Sequence, residues 1–323
     1  MMPSGSANSV TLLFNDTGSP PNLVSNTWSY ATELYSGVTR DLLHGYLGLL
    51  QPSARFTTNG GGHTGISGDF AIDTTPAGGP VHIDDATFLY PAETNNTMTF
   101  SFWAKKYDIA SGSAFWVDSP SSPAGQLGAQ AYLPYSDDTI YFDTSGCCDL
   151  SLQRISANIN TFLAWKDDSF WTNSWHHFVF LYNAGDKQIW IDGSSFLEGI
   201  SSLPLALDFT DMFLASGGMH SLIDDFAAFA SPVAATNIAL LAQGTLPTAL
   251  ANEKLLAYWN FNDAPSAPTI KIGFVSGQLR ITYTGTLQSS ATVNGTYVNV
   301  NGATSPYTVD TSLAPRTFYR AHQ

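Results

Sequence analysis

Two adjacent histidines, His176 and His177, stand in the stretch WHHFVFLYNAGDKQIWIDG and could in principle support acid–base or metal chemistry. In a β-strand, however, neighbouring side chains point to opposite faces. His177 would then share a face with Val179, and His176 with Phe178. The segment NAGDK supplies turn residues before the apolar run QIWID. We therefore predict a hairpin buried in a two-sheet core, with structural roles for both histidines.

Paired carboxylates are the second chemical candidate, because glycoside hydrolysis needs two of them about 5–10 Å apart. The chain has four glutamates, and none stands at a spacing that would form such a pair along a strand. Aspartate doublets occur at 84–85, 137–138 and 167–168 and are predicted to lie in turns. Motifs of the types G-x-S-x-G and H-E-x-x-H do not occur. The sequence thus favours a binding role over catalysis.

The elements that must position these residues are short strands. From Gly68 onward the hydrophobic pattern has period two, as in GDFAIDTT, MTFSFWAKKYD, SAFWVDS, QLGAQAYL, TIYFDT, HHFVFLYN, QIWIDG, MFLAS and LIDDFAAFA. Many short strands separated by turn signals predict an all-β, antiparallel sandwich. Ser231–Thr245 is the best helix candidate, and Gly244 can end it. Residues 1–60 are predicted to be irregular, with a short helix possible at Arg40–Leu50.

A second boundary is predicted at NDAPSAPT (Asn262–Thr269), which has linker composition. The strand-like runs after it predict a small all-β module. The expected domains are an irregular segment 1–60 that packs on the main domain, a main sandwich domain 61–262, and a small second sandwich 269–323.

Composition limits the partners. The net charge is −14 and only 12% of residues are charged, against roughly a quarter in ordinary soluble proteins. Nucleic acid is excluded as a partner because it requires a cationic face. No apolar run reaches the ~18 residues of a membrane span, so no membrane insertion is expected. The start MMPSGSANS lacks the features of a signal peptide, and we expect an exported protein whose leader is already removed.

The stretch SWHHFVFLYNAGDKQIWIDG resembles the central hairpin of laminin-G-like, concanavalin A-like jellyroll domains. GDFAID, MTFSFWAKKYD and LIDDFAAFASPVAATNIALLAQG are similar to the opening and closing motifs of the same family, in the same order. The resemblance covers about residues 60–250 and implies a jellyroll sandwich. The C-terminal segment resembles a short fibronectin-III-like module of secreted bacterial proteins. Together these resemblances imply a secreted or cell-surface location.

The family resemblance also implies a structural Ca²⁺ between the opening and closing strands. Its closing-strand ligand would be Asp224, and its opening-strand candidates are Asp69 and Asp73. Calcium takes six to eight oxygen ligands, which suits an acidic chain. The alternative is that Asp224 and Asp225 face solvent or end a strand.

Cys147 and Cys148 are the only cysteines. Adjacent cysteines can close a ring disulfide or remain free thiols, and a metal site would need more soft ligands nearby. Similar GCC…RI stretches in the jellyroll family imply a vicinal disulfide, which would require an oxidising compartment.

Aromatic side chains in loops are the candidates for stacking on a sugar ring, because exposed aromatic patches often mark binding sites. We predict ligand contacts for Tyr135, Trp165, Phe170 and Trp171. The predicted function is a secreted, non-catalytic binding or adhesion protein whose partner is a glycan or a cell-surface polymer.

Two alternatives stay open at this stage. One is a self-associating subunit of a surface layer or extracellular filament, since low charge and exposed sandwich edges suit repeated contacts. The other is a carbohydrate-active enzyme. Polysaccharide lyases of this fold need an arginine, a glutamine/histidine pair and a tyrosine on one concave face. Arg154, His176 and Tyr141 could be assembled into such a set, although their spacing does not demand it.

Overall fold

The computed structural model describes residues 7–15, 23–31, 35–75, 79–109, 112–122, 127–161, 168–263, 270–275, 278–310 and 317–322. Contacts divide the chain into two compact units, Met1–Ala264 and Pro265–Gln323. The strands of the first unit are β1 Ala7–Asn15, β2 Leu23–Ala31, β3 Gly37–Arg40, β4 Leu47–Leu50, β5 Arg55–Phe56, β6 Ile72–Asp73, β7 Val81–Ile83, β8 Thr97–Lys106, β9 Ser113–Asp118, β10 Leu127–Tyr132, β11 Thr139–Thr144, β12 Arg154–Asn158, β13 His176–Asn183, β14 Asp186–Ile191, β15 Ser194–Ile200, β16 Met212–Ser216, β17 Ser221–Phe229 and β18 Leu255–Trp259. Its helices are α1 Tyr90–Asn95, α2 Asp168–Trp171 and α3 Ala235–Ala242, with 3₁₀ turns at Thr87–Leu89, Ile159–Thr161 and Pro247–Ala249.

Two large antiparallel sheets form the first unit. Sheet 1 has the order β12-β11-β10-β9-β16-β7-β4-β3. Sheet 2 has the order β15-β14-β13-β8-β17-β6-β5, and β18 also pairs with β17. The strands β1 and β2 pair with each other in a separate hairpin. The predicted all-β, antiparallel sandwich is confirmed.

The sheets pack face to face through phenylalanine rings. Phe100 of sheet 2 lies 4.7 Å from Phe115 of sheet 1, centroid to centroid, and Phe180 lies 5.4 Å from Phe142. These four side chains have no exposed surface. Each of the four side chains occupies an inward-facing position of its strand. The period-two hydrophobic pattern of the sequence therefore identifies the side chains that form this core.

The hairpin of β13 and β14 is buried on both faces, but two different layers cover them. Phe178 and Phe180 point into the core between the sheets. Val179, on the opposite face, belongs to a separate cluster with Ile238 and Leu241 of α3. The predicted helix is present as α3. Its last residue is Ala242, and the chain turns away two residues later at Gly244, which has a φ of +88°.

The prediction of an irregular segment over residues 1–60 is wrong, because five strands lie there and β3–β5 belong to the two main sheets. The short helix predicted for Arg40–Leu50 is also wrong. The Asp41 carboxylate accepts hydrogen bonds from the backbone N–H groups of His44 (2.6 Å) and Gly45 (3.2 Å), and Gly45 has a φ of +82°. This turn joins β3 to β4 in a hairpin.

The strands of the second unit are β19 Ile270–Val275, β20 Gln278–Tyr283, β21 Thr286–Ser290, β22 Val298–Asn299, β23 Tyr307–Thr308 and β24 Phe318–His322. They form two three-stranded antiparallel sheets, with the orders β19-β20-β23 and β22-β21-β24. The small core of this unit centres on Ile281, Tyr283 and Leu287. Across both units, none of the helices in the described residues has the length and apolar character of a membrane span.

Candidate functional site

The outer face of sheet 1 carries a row of large polar and aromatic side chains. Strand register places Gln130 opposite both Trp116 and Asp143, Tyr132 opposite Tyr141, and Asp143 opposite Arg154. Their neighbours along each strand, such as Phe115, Ala131 and Phe142, point into the core. Alternation therefore collects these side chains from β9, β10, β11 and β12 on one surface.

This surface is concave. A depression of about 330 Å³, here called the basin, is lined by Trp116, Leu127, Gln130, Tyr132, Tyr135, Tyr141, Cys147, Cys148 and Arg154. Its volume lies near the lower end of the range for small-molecule sites, about 300–1,000 Å³. The basin can therefore accept a ligand of one or two sugar rings in size.

Three tyrosines form one wall of the basin. The rings of Tyr132 and Tyr135 meet edge to face with centroids 5.0 Å apart, and Tyr141 lies 5.9 Å from Tyr132 in the same manner. Burial raises the pKa of Tyr132 and of Tyr141, so both phenols are protonated at neutral pH. The Tyr141 hydroxyl donates to the carboxylate of Asp137.

Beneath the basin lies an ion pair whose charges cancel, between Arg154, which lines the basin, and the buried Asp143. Asp143 has no exposed surface and accepts hydrogen bonds from Nε and Nη2 of Arg154, both at 2.7 Å. Gln130 Nε2 donates to the same carboxylate, also at 2.7 Å. Burial is the largest single influence on the pKa of Arg154 and acts to lower it, but the hydrogen bonds and the charge of Asp143, with smaller contributions from Tyr141 and Tyr132, together raise the pKa. The guanidinium also lies 4.1 Å from the centre of the Tyr141 ring.

The Cys147–Cys148 disulfide is present in the structure and forms part of the basin wall. The turn that carries it is attached to β10, because Gly146 N–H donates to Leu127 O at 2.8 Å and Ser145 N–H donates to Gly128 O at 2.7 Å. Cys148 is exposed and Cys147 is half-buried. The disulfide-bonded pair thus lies at the boundary between the basin and solvent.

The four residues predicted to contact a ligand have different environments in the structure. Tyr135 lines the basin, whereas Trp165 lies outside the described residues. Trp171 is only 2% exposed, which makes its prediction as a sugar-stacking residue wrong. Phe170 stacks on His176 with centroids 3.9 Å apart. The short helix α2 turns both aromatic side chains inward, where burial of apolar surface stabilises them.

Sequence reasoning missed Trp116, Gln130 and Tyr132. A signal for them existed, since each is a large polar or aromatic side chain whose immediate neighbours along the strand are apolar. The pattern assigns each to the outer face of its strand. The pattern does not predict that the outer faces of four strands, β9 to β12, lie side by side.

The histidine pair has structural contacts. His176 interacts through Nδ1 with Asp192 Oδ2 at 2.7 Å and through Nε2 with the Phe170 carbonyl at 2.6 Å. His177, on the opposite face, contacts Ser101 Oγ through Nε2 at 2.9 Å. Burial lowers the pKa of His177 to about 3, so this imidazole is neutral. The two rings do not converge on one site.

A second cluster joins His63, Asp224 and Asp225, whose potential ligand atoms all lie within 4.8 Å of one another. Asp224 Oδ2 accepts a hydrogen bond from the His63 backbone N–H at 2.8 Å and lies 3.0 Å from His63 Nδ1. Asp225 Oδ2 lies 3.5 Å from the same nitrogen, and Tyr258 donates its hydroxyl to Asp225 Oδ1. The His63 ring stacks on Trp103 at 4.5 Å.

Consecutive aspartates can converge here because β17 is irregular at this point. Its register with β8 shifts between Asp224 and Ala227, and Asp225 has a φ of +49°. This bulge turns Asp225 toward the side of the strand on which Asp224 lies. Burial, followed by the charge of Asp224, raises the pKa of Asp225 to about 7. Burial also raises the pKa of Asp224.

The three predicted metal ligands have different environments. Asp224 belongs to the cluster, and the charge of Asp69 contributes to the raised pKa of Asp224. Asp69 also accepts a hydrogen bond from Thr64 N–H at 3.0 Å, and a Cβ on Gly62 would lie 2.4 Å from its carboxyl carbon. The glycine-rich loop is therefore needed for this close approach. Asp73 instead pairs with Arg55, at 2.9 Å from Nε and 2.8 Å from Nη2. The sequence did not identify His63 or Asp225 as members of this cluster.

Comparison with known proteins gives no family assignment. No protein-family model matches the sequence, and no curated protein matches it. Among solved structures, the chain is similar to the binding domain of botulinum neurotoxin serotype D, with a TM-score of 0.42 and 12% identity over 81% of this chain and 68% of that one. A botulinum neurotoxin DC binding domain in complex with rat synaptotagmin II has a TM-score of 0.43 and 14% identity, with coverage of 85% and 80%.

Domain 4 of AbnA, a GH43 extracellular arabinanase from Geobacillus stearothermophilus solved in complex with arabinotriose, has a TM-score of 0.40 and 16% identity, with coverage of 59% of this chain and 88% of that chain. All three TM-scores are below 0.5. We infer neither ligand nor activity from similarities of this size.

Proposed function

We propose that the protein is a non-catalytic binding protein and that its first unit holds a carbohydrate in the basin of sheet 1. The observation that carries this proposal is the concave outer face lined by Trp116, three tyrosines and Arg154. Aromatic rings offer flat apolar surfaces to the C–H faces of a sugar, while phenols and a guanidinium supply hydrogen bonds to its hydroxyls. The Trp116 indole N–H is already held by Asp118, which orients the ring.

The chemistry of the basin supports binding over turnover. A glycosidase needs two carboxylates at the ligand, yet the described residues that line the basin include neither Asp nor Glu. A lyase set would require His176 beside Arg154 and Tyr141, but His176 lies on sheet 2. The raised pKa values of Tyr132 and Tyr141 also make these phenols poor general bases.

Further parts of this proposal rest on the sequence resemblance. We propose that the first unit is a laminin-G-like jellyroll, that the second is a fibronectin-III-like module, and that the protein acts outside the cell or on its surface. The vicinal disulfide supports the extracellular location, because disulfides persist in oxidising compartments. The partner would then be a glycan or a cell-surface polymer.

Substitution of the basin aromatics tests the binding proposal. We expect Trp116→Ala and Tyr135→Ala each to weaken binding of the best glycan from an array by about tenfold or more, since each removes a stacking surface. Isothermal titration calorimetry measures the affinity, and circular dichroism checks the fold. The matched control is Tyr90→Ala, which removes a half-exposed tyrosine outside the basin. The proposal is wrong if no glycan binds the native protein, or if binding survives both basin substitutions.

We also propose that a structural divalent cation binds at the cluster of His63, Asp224 and Asp225. Calcium would take the carboxylate oxygens of Asp69, Asp224 and Asp225, which are the hard ligands it prefers. Asp73 does not fit the role, because Arg55 occupies its carboxylate. His63 would not be a ligand in this arrangement. Its imidazole lies within hydrogen-bonding distance of Asp224 and would orient that carboxylate toward the cation.

Thermal unfolding tests the cation. After treatment with EDTA, calcium at about 100 times its dissociation constant should raise the midpoint by roughly 5–10 °C. Asp224→Asn should abolish this increase, whereas Asp73→Asn should leave it intact. An increase with zinc but not calcium would make calcium the wrong ion, and loss of the effect in Asp73→Asn would restore Asp73 as a ligand.

A further inference from the structure

A row of partly exposed side chains continues from the basin across the rest of sheet 1. Strand register places Phe213 opposite Trp116, His82 opposite Phe213, Leu49 opposite His82, and Val38 opposite Leu49. Residues that oppose one another in adjacent antiparallel strands point to the same face of the sheet. The row, as we call these five residues, therefore begins at the basin wall with Trp116 and ends on the edge strand β3.

The row lies on the outer face of the sheet and keeps contact with solvent. The next residue along β9, β16, β7 and β4 is in each case part of the core, namely Val117, Leu214, Ile83 and Leu50. Trp116, Phe213, His82 and Leu49 are half-buried, and Val38 is 38% exposed. None of the five belongs to a buried cluster of the described residues.

The outer face of sheet 2 shows what a covered face looks like in this protein. There Val179 and Phe229 pack against Ile238 and Leu241 of α3. In the described part of the chain, the row on sheet 1 has no helix packed on it in this way. An uncovered apolar surface that adjoins a concave site is typical of a binding surface.

The rings of the row are held in place. His82 and Phe213 stack with centroids 4.5 Å apart and 6° between the ring planes. Asp211 Oδ1 lies 2.9 Å from His82 Nε2, and Asp118 accepts the indole N–H of Trp116. Because these contacts restrict rotation of the side chains, little further conformational entropy is lost when a ligand packs on them.

The shape of the row restricts the kind of ligand. On one side the same-face neighbours of Trp116 and Phe213 are Asp118 and Asp211, so the apolar surface is narrow along the strands. It is long across them, since adjacent strands lie about 4.8 Å apart and β7 is two strands away from β9. A stable protein partner needs a broad patch of about 800 Å², whereas a linear polymer fits a narrow track.

We propose that the ligand is a linear polysaccharide that runs across the strands of sheet 1, with its first sugars in the basin and the next ones over Phe213 and His82. This inference rests on the proposed carbohydrate-binding function. It adds a second stacking site and gives the bound chain a direction. A sugar unit in an extended chain advances by about one strand spacing, so about two further units reach from Trp116 to His82.

Chain length provides the first test. Linear gluco-, manno- and xylo-oligosaccharides of increasing length are titrated into the native protein by calorimetry. For the series that binds best, we expect the affinity to rise at least about tenfold from the disaccharide to the tetrasaccharide and then to level off. An affinity that is the same for the disaccharide and all longer oligomers contradicts the inference.

Phe213→Ala provides the second test. This variant should bind the tetrasaccharide about tenfold more weakly but the disaccharide within about twofold of the native protein, because it removes a stacking surface beyond the basin. Trp116→Ala should weaken binding of both oligomers. The control Tyr107→Ala removes a tyrosine that is 43% exposed and directly follows β8 of sheet 2, and it should bind both oligomers like the native protein.

The outcomes separate this inference from the function on which it rests. Binding that survives Phe213→Ala and His82→Ala at every chain length overturns the extended site and leaves carbohydrate binding in the basin. The series on the native protein decides the matter even if neither variant folds. Failure of every oligosaccharide to bind overturns both the inference and the proposed function.

Discussion

Replacement of Phe180 by alanine is expected to lower the free energy of unfolding of the first unit by about 3–5 kcal/mol. Phe180 has no exposed surface and lies at the centre of the interface between the two sheets. Its ring is 5.5 Å from Phe115, 5.4 Å from Phe142 and 6.0 Å from Phe102. Truncation therefore removes buried apolar area and leaves a cavity that the three neighbouring rings, held on three different strands, cannot close without moving the sheets.

Denaturant unfolding followed by tryptophan fluorescence measures this change. All eight tryptophans precede residue 264, so their signal reports the first unit. The control Leu207→Ala removes an apolar side chain that is 72% exposed in the same unit, and its effect should stay within about 0.5 kcal/mol. A loss below about 1 kcal/mol for Phe180→Ala would mean that the sheets do not pack tightly at this ring.

The strands of the sandwich could be predicted because their pattern is local. Phe178 and Phe180 alternate with Val179 in the sequence, and the structure gives them opposite faces. The same alternation correctly separated His176 from His177. Gly244 marked the end of α3 for an equally local reason, since a positive φ favours glycine.

The candidate sites could be predicted only in part, because they depend on contacts that are distant in sequence or on irregular backbone. Asp224 and Asp225 should diverge in a regular strand, and only the bulge at Asp225 makes them neighbours of His63. The basin requires β9, β10, β11 and β12 to adjoin in that order. Periodicity gives the face of each strand and says nothing of which strands pair.

Lys187 shows a further limit of pattern reading. Its position in DKQIWI suggests a solvated residue after a turn, yet it is completely buried. Its ammonium donates to the carbonyls of Phe142 and Gln153. Burial lowers its pKa to about 7. Carbonyl partners carry no sequence signature, so a buried lysine held by backbone oxygens cannot be recognised in advance.

Arg154→Met should lower the free energy of unfolding by about 3–5 kcal/mol, a loss comparable to that of a core phenylalanine. The cost arises mainly at Asp143, which is fully buried and would be left with Gln130 as its remaining described side-chain hydrogen-bond partner. Loss of the contact between the guanidinium and the Tyr141 ring adds to it. Denaturant unfolding of the variant, with the fluorescence signal used for Phe180→Ala, measures the effect.

A double-mutant cycle with Asp143→Asn identifies the cause of that loss. Asparagine removes the buried charge and can still accept a hydrogen bond from Gln130, so the double variant should be more stable than Arg154→Met alone. The coupling between the two positions should then be about 2–3 kcal/mol. If Arg154→Met costs under 1 kcal/mol, or if the two substitutions add without coupling, the pair behaves like an exposed ion pair, worth about 0–1 kcal/mol. Water would then reach the carboxylate, and the pair beneath the basin would not be the closed, internally neutralised ion pair that its burial indicates.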